Sequence, residues 1–186
     1  MNSESSSHPS SLAHLDGECI VRWVGLEMAL DGGRAVVTDE TVVTGLAGDS
    51  PVVWAHPDVP FWQFSGVYIE RGDGLHFRLF AEDADDRPNG LLLARTEGVP
   101  EPVEEAPGSL YRTRVLEHLP TGVARLSVLR QGPGGAVLDA SLEISGQVIR
   151  LLCGEMYLRE DGSFEMVSPN ESVLVQLNGM RPDCAG

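Results

Sequence analysis

The chain has 186 residues, 42% of them hydrophobic, which is within the usual size of one globular domain. Lys and Arg together number 13 against 28 Asp and Glu, so the formal net charge is −15. A field of this sign repels phosphate backbones and anionic lipid surfaces, and it disfavours both nucleic acid binding and membrane-surface binding. The same charge is compatible with a basic protein partner, or with solubility alone.

The cysteines and the first residues indicate a compartment. The chain has three cysteines, Cys19, Cys153 and Cys184, an odd number without Cys-x-x-Cys spacing, so reduced thiols are expected rather than a disulfide framework. The N-terminal sequence lacks a basic region followed by an apolar run, and no stretch approaches the length needed to span a bilayer. We therefore expect a cytoplasmic protein of bacterial type.

Residues 1–16 are rich in serine and poor in apolar residues, which predicts a flexible tail. From Glu18 onward a β-branched and aromatic run, CIVRWVGLEMAL, ends at Asp31-Gly32-Gly33 and is followed by AVVTDETVVTGL. Two such runs around a glycine turn predict a hairpin. Gly25 in the middle of the first run indicates a bulge.

The segment FWQFSGVYIERGDGLHFRLF contains the clearest hairpin signal, because two alternating runs flank a turn sequence. A two-residue turn at Gly72 and Asp73 would place Tyr68 opposite Phe77. Before this hairpin, three prolines within residues 49–60 predict a loop.

A Pro- and Glu-rich connector at residues 98–108 separates the first half of the chain from further strand-like runs. In one of these, residues 110–118, Arg112 and Arg114 alternate with Tyr111, Thr113 and Val115. We predict an all-β fold over residues 17–180, an antiparallel sandwich or barrel of about ten to twelve short strands with hairpin connections. A single β domain is the first interpretation, and two β halves joined by the connector are the alternative.

Val148–Leu177 has the pattern of a three-strand meander, and Val21–Val43 repeats part of its residue order. Glu27, Met28 and Leu30 in the first segment correspond to Glu155, Met156 and Leu158 in the second. We therefore expect the first and last hairpins to be pseudo-equivalent. Within the meander, the order I-x-L-x-C-G followed by L-x-x-D-G resembles the repeating β segments of secretion-apparatus spike proteins, and this short likeness transfers no function.

No catalytic residue can be assigned from the sequence, and no cofactor is expected. Gly-x-Ser-x-Gly does not occur, the glycines at residues 132–135 are not followed by Gly-Lys-Ser/Thr, and no histidine pair has metal-ligand spacing. Asp83, Asp85 and Asp86 form a weak candidate cation site, since they lack the residue order of the known twelve-residue calcium loop. Their alternative interpretation is a solvated loop.

An aromatic group separated by prolines is the best candidate for a binding surface, with core packing as the alternative interpretation. The candidate ligand- or partner-binding residues are Trp54, His56, Trp62, Tyr68 and His76.

The acidic charge and the absence of a catalytic motif in the sequence together favour a non-enzymatic acidic interaction protein, such as an inhibitor or an immunity-type partner of a basic protein. One alternative is a small-ligand-binding β-barrel, with or without enzymatic activity. Another is a structural component of a secretion system or other large assembly. The sequence does not indicate an oligomeric state.

Overall fold

The computed structural model describes residues 11–30, 37–38, 41–42, 52–84, 87–102, 109–159 and 161–182. They form strands and two short 3-10 helices, Leu12–Leu15 and Pro133–Gly135. Within these ranges no helix is both long and apolar enough to cross a membrane. The strands are β1 Cys19–Met28, β2 Val37–Thr38, β3 Thr41–Val42, β4 Trp62–Arg71, β5 His76–Ala84, β6 Arg87–Thr96, β7 Tyr111–Val115, β8 Gly122–Gln131, β9 Val137–Ile144, β10 Gln147–Cys153, β11 Glu155–Leu158, β12 Phe164–Val167 and β13 Val173–Leu177.

The two long strands β1 and β4 form the central antiparallel pair, which runs from Ile20 opposite Arg71 to Glu27 opposite Phe64. The outer edge of each strand is shared by two partners. β1 pairs with β8 at its start and with β7 over Val24–Met28. β4 pairs with β13 over its first residues and with β5 over its last. The pair therefore joins two groups of strands.

Six strands close into a barrel in the order β1, β4, β13, β10, β9, β8 and back to β1, and every neighbouring pair is antiparallel. β5 and β6 extend from β4, and β6 packs back against β9. The predicted all-β class with a barrel is confirmed. Strands from before and after the Pro- and Glu-rich connector interleave in this one sheet, so the two parts of the chain share one core.

The barrel interior is filled by side chains. A six-stranded barrel is narrower than an eight-stranded one, whose interior is just wide enough for side chains to fill. The principal core also extends over β5, β6 and the first 3-10 helix. Core residues with at most 2% exposure include Trp23, Trp62, Phe64, Ile69, Leu79, Leu93, Leu142, Ile149, Leu151 and Val175.

The predicted tail is wrong for its last residues. Leu12 and Leu15 are 2% and 0% exposed and belong to the principal core. The Ser11 side chain caps this short 3-10 helix, and the Asp16 carboxylate accepts a hydrogen bond from the Leu126 amide at 2.8 Å. Burial of two leucines three residues apart stabilises the segment together with these hydrogen bonds. Residues 1–10 lie outside the described ranges.

The predicted hairpin of β1 with the run after it is also wrong. In the described residues β1 pairs with β4, β7 and β8, whereas β2 and β3 pair only with each other. The β4–β5 hairpin exists, but Tyr68 lies opposite Arg78 rather than Phe77. Its loop is longer by one residue than the two-residue turn we predict, and Gly74 occupies the left-handed position at φ +79°.

The proposed repeat does not correspond to equivalent structure. Glu27 and Met28 lie in a barrel strand, whereas Glu155–Leu158 form β11 of a separate two-stranded sheet with β12. The predicted meander contains four strands, because β10 and β13 pair directly and the β11–β12 hairpin is inserted between them. This hairpin packs on the outside of the barrel through a second core that includes Met156, Leu152 and Leu174.

Gly25 allows the close approach of β1 and β4. A Cβ atom at this position would lie 2.6 Å from Cδ1 of the buried Phe64 ring. The bulge against β4 falls beside it, between Leu26 and Glu27. No larger side chain fits here without moving the ring.

We expect Gly25→Ala to lower the free energy of unfolding by about 1–3 kcal/mol, the usual cost of overpacking a core. Urea unfolding measures the change. Gly98→Ala is the matched control, because a Cβ there meets nothing within 4 Å, and we expect a change within about 0.5 kcal/mol. Equal effects of the two substitutions would show that the contact with Phe64 is not a constraint.

Candidate functional site

A buried ion cluster lies where β7 joins the end of β1. Glu27 faces Arg112 across the two strands, and Arg114, two residues further along β7, lies on the same face. Arg112 Nε donates to Glu27 Oε2 at 2.6 Å, and Arg114 Nη1 donates to the same oxygen at 3.2 Å. The Glu27 side chain is 2% exposed and the arginines are 24% and 27% exposed. One buried carboxylate therefore orients two guanidinium groups.

Two of the predicted aromatic residues stack on these arginines. The Arg112 guanidinium lies 4.3 Å from the Trp54 ring centre, and that of Arg114 lies 4.6 Å from the Trp62 ring centre. Such contacts are attractive because the ring face carries negative electrostatic potential. The Trp62 ring also meets Phe64 edge to face, and it lies 6.2 Å from the His118 ring. Trp54 and Trp62 thus belong to one cluster, in which each ring contacts a different arginine of β7.

The sequence alone does not identify the ion cluster as a site. The alternation of residues 110–118 shows which residues share a face, but it does not show that the arginine face turns inward. All 13 basic residues of the chain are arginine and none is lysine. Arginine suits this environment, since its planar group stacks on aromatic rings while its N–H groups bind a carboxylate.

The other predicted binding residues lie elsewhere. His56 packs on Phe164 of β12 with ring centres 4.8 Å apart, and its Nδ1 is 3.7 Å from Asp58 Oδ2. Tyr68 is six residues from Trp62 on β4, a distance of about 20 Å along an extended strand. His76 lies opposite Glu70 at the start of β5. The five residues therefore do not form one site.

A groove of about 330 Å³ runs between β7 and β11 on the outer side of the barrel. Its lining comes from Met28–Leu30, Gln63, Leu110 with Tyr111, and Glu155–Leu158. The side-chain oxygen of Gln63 accepts a hydrogen bond from the Met156 amide at 2.7 Å and joins the floor of the groove to the hairpin. Around the groove and the hairpin, large apolar side chains are exposed: Tyr111, Tyr157, Leu158, Met166 and Val167.

The acidic side of the hairpin carries a carboxyl group with a perturbed pKa. Partial burial raises the pKa of Glu155, and the nearby charge of Glu171 raises it further, although the hydrogen bond from Tyr157 opposes the shift. Tyr157 Oη donates to Glu155 Oε2 at 2.9 Å and accepts from Asn170 Nδ2 at 2.8 Å. In the described part of the chain neither Glu155 nor Glu171 forms an ion pair.

No group of three metal-ligating side chains occurs among the described residues, and the side chains of Asp83, Asp85 and Asp86 lie outside what the structure describes. The Cys153 thiol is buried and donates to the Asn170 carbonyl at 3.0 Å, and burial raises its pKa, which disfavours the reactive thiolate. Cys19 is an exposed thiol, and Cys184 lies outside the described ranges.

A scan against protein-family models and searches of curated proteins and of solved structures each returned no match. In the ion cluster, the Glu27 carboxylate is buried and already pairs with Arg112 and Arg114. The groove, by contrast, is lined by the exposed side chains of Tyr111, Tyr157 and Leu158 and by the half-buried Glu155.

We expect Glu27→Gln to lower the free energy of unfolding by about 3 kcal/mol, because removing one member of a buried ion pair leaves the opposite charge uncompensated. Chemical denaturation measures the loss. Glu165→Gln is the control, since Glu165 pairs with Arg159 on the surface with both side chains about half exposed. We expect that change to cost at most about 1 kcal/mol. Similar losses in the two variants would contradict a structural role for the Glu27 cluster.

The free energy of unfolding should depend on pH through the Glu155 carboxyl group. Because the pKa of Glu155 is raised, the folded chain binds this proton more tightly than the unfolded chain, and stability falls as pH rises through the folded pKa. Glu155→Gln removes the ionisation, so the variant should be more stable than the parent at pH 7. The two unfolding midpoints should converge as pH falls toward the ordinary glutamate pKa of about 4.3. A difference that is constant with pH, or a less stable variant at pH 7, would be inconsistent with this assignment.

Proposed function

We propose that the protein is a non-enzymatic binding protein that takes up a basic protein partner through its acidic surface, as an inhibitor or immunity-type protein does. The observation that supports this most directly is the open groove beside Glu155 and Glu171, two carboxylates without an ion-pair partner among the described residues. Each of these two carboxylates can therefore pair with a cationic side chain of a partner protein. A binding protein of this kind needs no catalytic group.

The charge of this part of the chain supports the proposal. Residues 155–171 contain five acidic residues and one basic residue, Arg159. Arg159 is already paired with Glu165, with 2.6 Å between Nη2 and Oε1. With five acidic residues and one basic residue, the segment holds −4 of the chain's overall charge of −15, which concentrates negative field at the β11–β12 hairpin. Such a field steers a basic partner toward the hairpin and increases the association rate at low ionic strength.

The apolar groups supply the short-range part of the binding. Tyr111 and Tyr157 are 48% and 42% exposed, and Leu158 and Met166 are 42% and 44% exposed. Exposed apolar groups rimmed by polar residues are typical of protein interaction sites, and tyrosine and methionine are enriched in interfaces. The negative charge would attract the partner, and apolar contacts with these side chains would stabilise the complex.

The alternatives receive less support from the geometry. A small ligand inside the barrel would need space that buried side chains such as Phe64, Leu142 and Ile149 occupy. A role in a large assembly predicts self-association, which light scattering of the purified chain measures. A monomer at high concentration would count against that role and would leave the binding role unaffected.

The test is affinity capture from extracts of the source cells, followed by purification of the captured protein and calorimetric titration with it. We expect the partner to carry a net positive charge. We also expect its affinity to fall by about tenfold or more as ionic strength rises from about 0.01 M to about 0.15 M, because screening shortens the range of the field. A purified partner that is acidic, or whose affinity does not change with salt, would contradict the proposal.

A further inference from the structure

We infer that the groove between β7 and β11 binds an arginine side chain of the partner, with the guanidinium group against the Glu155 carboxylate and the exposed tyrosine rings of the groove. This inference rests on the proposed function and specifies which side chain the groove binds. Three observations lead to it. The groove offers side chains rather than main chain, Glu155 has no cationic partner in the described chain, and the chain binds its own arginines with carboxylates and aromatic rings.

The groove presents side chains to its occupant. It follows the edge of β11 rather than one face of that strand, because four successive residues from both faces line it: Glu155, Met156, Tyr157 and Leu158. The main chain on this edge is already engaged, since the Met156 amide donates to Gln63 Oε1 at 2.7 Å. A partner therefore binds here by inserting a side chain and not by adding a strand.

The walls of the groove suit one long side chain with a charged end. Tyr111 of β7 and Tyr157 of β11 are exposed, and the apolar side chains of Met28 and Leu158 also line the groove. Its volume of about 330 Å³ is at the lower end of the range of about 300–1,000 Å³ for small-molecule sites. Arginine and lysine bury their methylene stems along apolar surface and keep the charged group at the open end.

The Glu155 carboxylate is held in place without a cation. Tyr157 Oη donates to Glu155 Oε2 at 2.9 Å and accepts from Asn170 Nδ2 at 2.8 Å, so the carboxylate and the tyrosine ring are fixed relative to each other. Partial burial raises the pKa of Glu155, because the charged form has lost part of its hydration. A guanidinium group would replace that hydration with charge-assisted hydrogen bonds.

The chain's own arginines show which cation this combination of groups binds. In the ion cluster, Arg114 donates to the Glu27 carboxylate at 3.2 Å and lies 4.6 Å from the Trp62 ring centre. Arg71 likewise pairs with a carboxylate at 2.6 Å and lies 5.5 Å from a phenylalanine ring centre. The groove has a carboxylate bonded to a tyrosine, but none of the described arginines pairs with it. Arginine fits better than lysine, because guanidinium stacks on rings and is more weakly hydrated than ammonium.

The experiment titrates the full chain, labelled with nitrogen-15, with acetylated and amidated pentapeptides and follows the amide shifts by NMR. The central residue of the peptide is arginine, lysine or the neutral analogue citrulline, and the other four are glycine. We expect the arginine peptide to bind about threefold or more tightly than the lysine peptide and about tenfold or more tightly than the citrulline peptide. Equal binding of the arginine peptide and either of the other two would overturn the inference.

Two pairs of variants localise the binding. Glu155→Gln removes the carboxylate, and Glu117→Gln changes an exposed glutamate in the β7–β8 loop. Leu158→Lys places a positive charge in the groove, and Leu129→Lys changes an exposed leucine on β8. We expect the first member of each pair to lose about tenfold or more in affinity for the arginine peptide, and the second less than about twofold. Circular dichroism of each variant verifies folding.

Two substitutions of Tyr157 separate the ring contact from the hydrogen bond to Glu155. Tyr157→Phe keeps the ring and removes the hydroxyl group, whereas Tyr157→Leu removes both. We expect Tyr157→Leu to bind the arginine peptide about threefold or more weakly than Tyr157→Phe does, because only the leucine variant lacks the cation–π contact. Equal affinities of the two variants would contradict a contact between the guanidinium group and this ring.

The outcomes separate this inference from the proposed function. Selective binding of the arginine peptide that Glu155→Gln and Leu158→Lys weaken, and that their controls do not weaken, supports the arginine site. Equal loss within each pair overturns it. If no pentapeptide binds while the purified partner binds with the expected salt dependence, the arginine site is wrong and the basic partner stands.

Discussion

The fold depends on the antiparallel pairing of β1 with β4. These strands contact each other along most of their length, and each divides its outer edge between two further strands. Closure of the barrel needs β8 on one strand and β13 on the other, so a shift in the β1–β4 register would displace both. Gly25 permits this pairing, because the Phe64 ring occupies the space where another residue would place its Cβ.

The β1–β4 pairing also positions the ion cluster around Glu27 and the groove between β7 and β11. At the end of β1, Glu27 points to the inner face and binds Arg112 and Arg114, whereas Met28 points outward and lines the groove with Gln63. Two successive residues of β1 thus contribute to different features: Glu27 belongs to the ion cluster with two arginines, and Met28 lines the groove. The ion cluster links β7 to the barrel, and the groove is accessible to a partner. Both are consequences of strand alternation, which separates neighbouring side chains onto opposite faces.

Local patterns predicted the class of the fold and several strands, but they did not predict the pairing. The alternation over Val137–Ile144 gives one buried set, Leu138, Ala140, Leu142 and Ile144, and the exception, Asp139, is buried because Arg150 binds it at 2.7 Å. Which strand lies beside β1 is decided by residues far along the chain, and a period of two contains no information about them. The alternation predicts that Arg112 and Arg114 share one face of β7, but it does not predict that this face turns inward. The groove combines four segments that are distant in sequence, and no local pattern predicts it.

The central claim is that the acidic groove beside β11 is the binding face, and zero-length crosslinking tests it most directly. The chain contains no lysine, so a carbodiimide couples the lysine amines of an acetylated, amidated hexalysine peptide to carboxyl groups of the protein, and mass spectrometry identifies the coupled residues. The account predicts that the coupled positions are concentrated at Glu155 and Glu171. Crosslinks spread evenly over the acidic residues, or concentrated on β8 and β9, would contradict it.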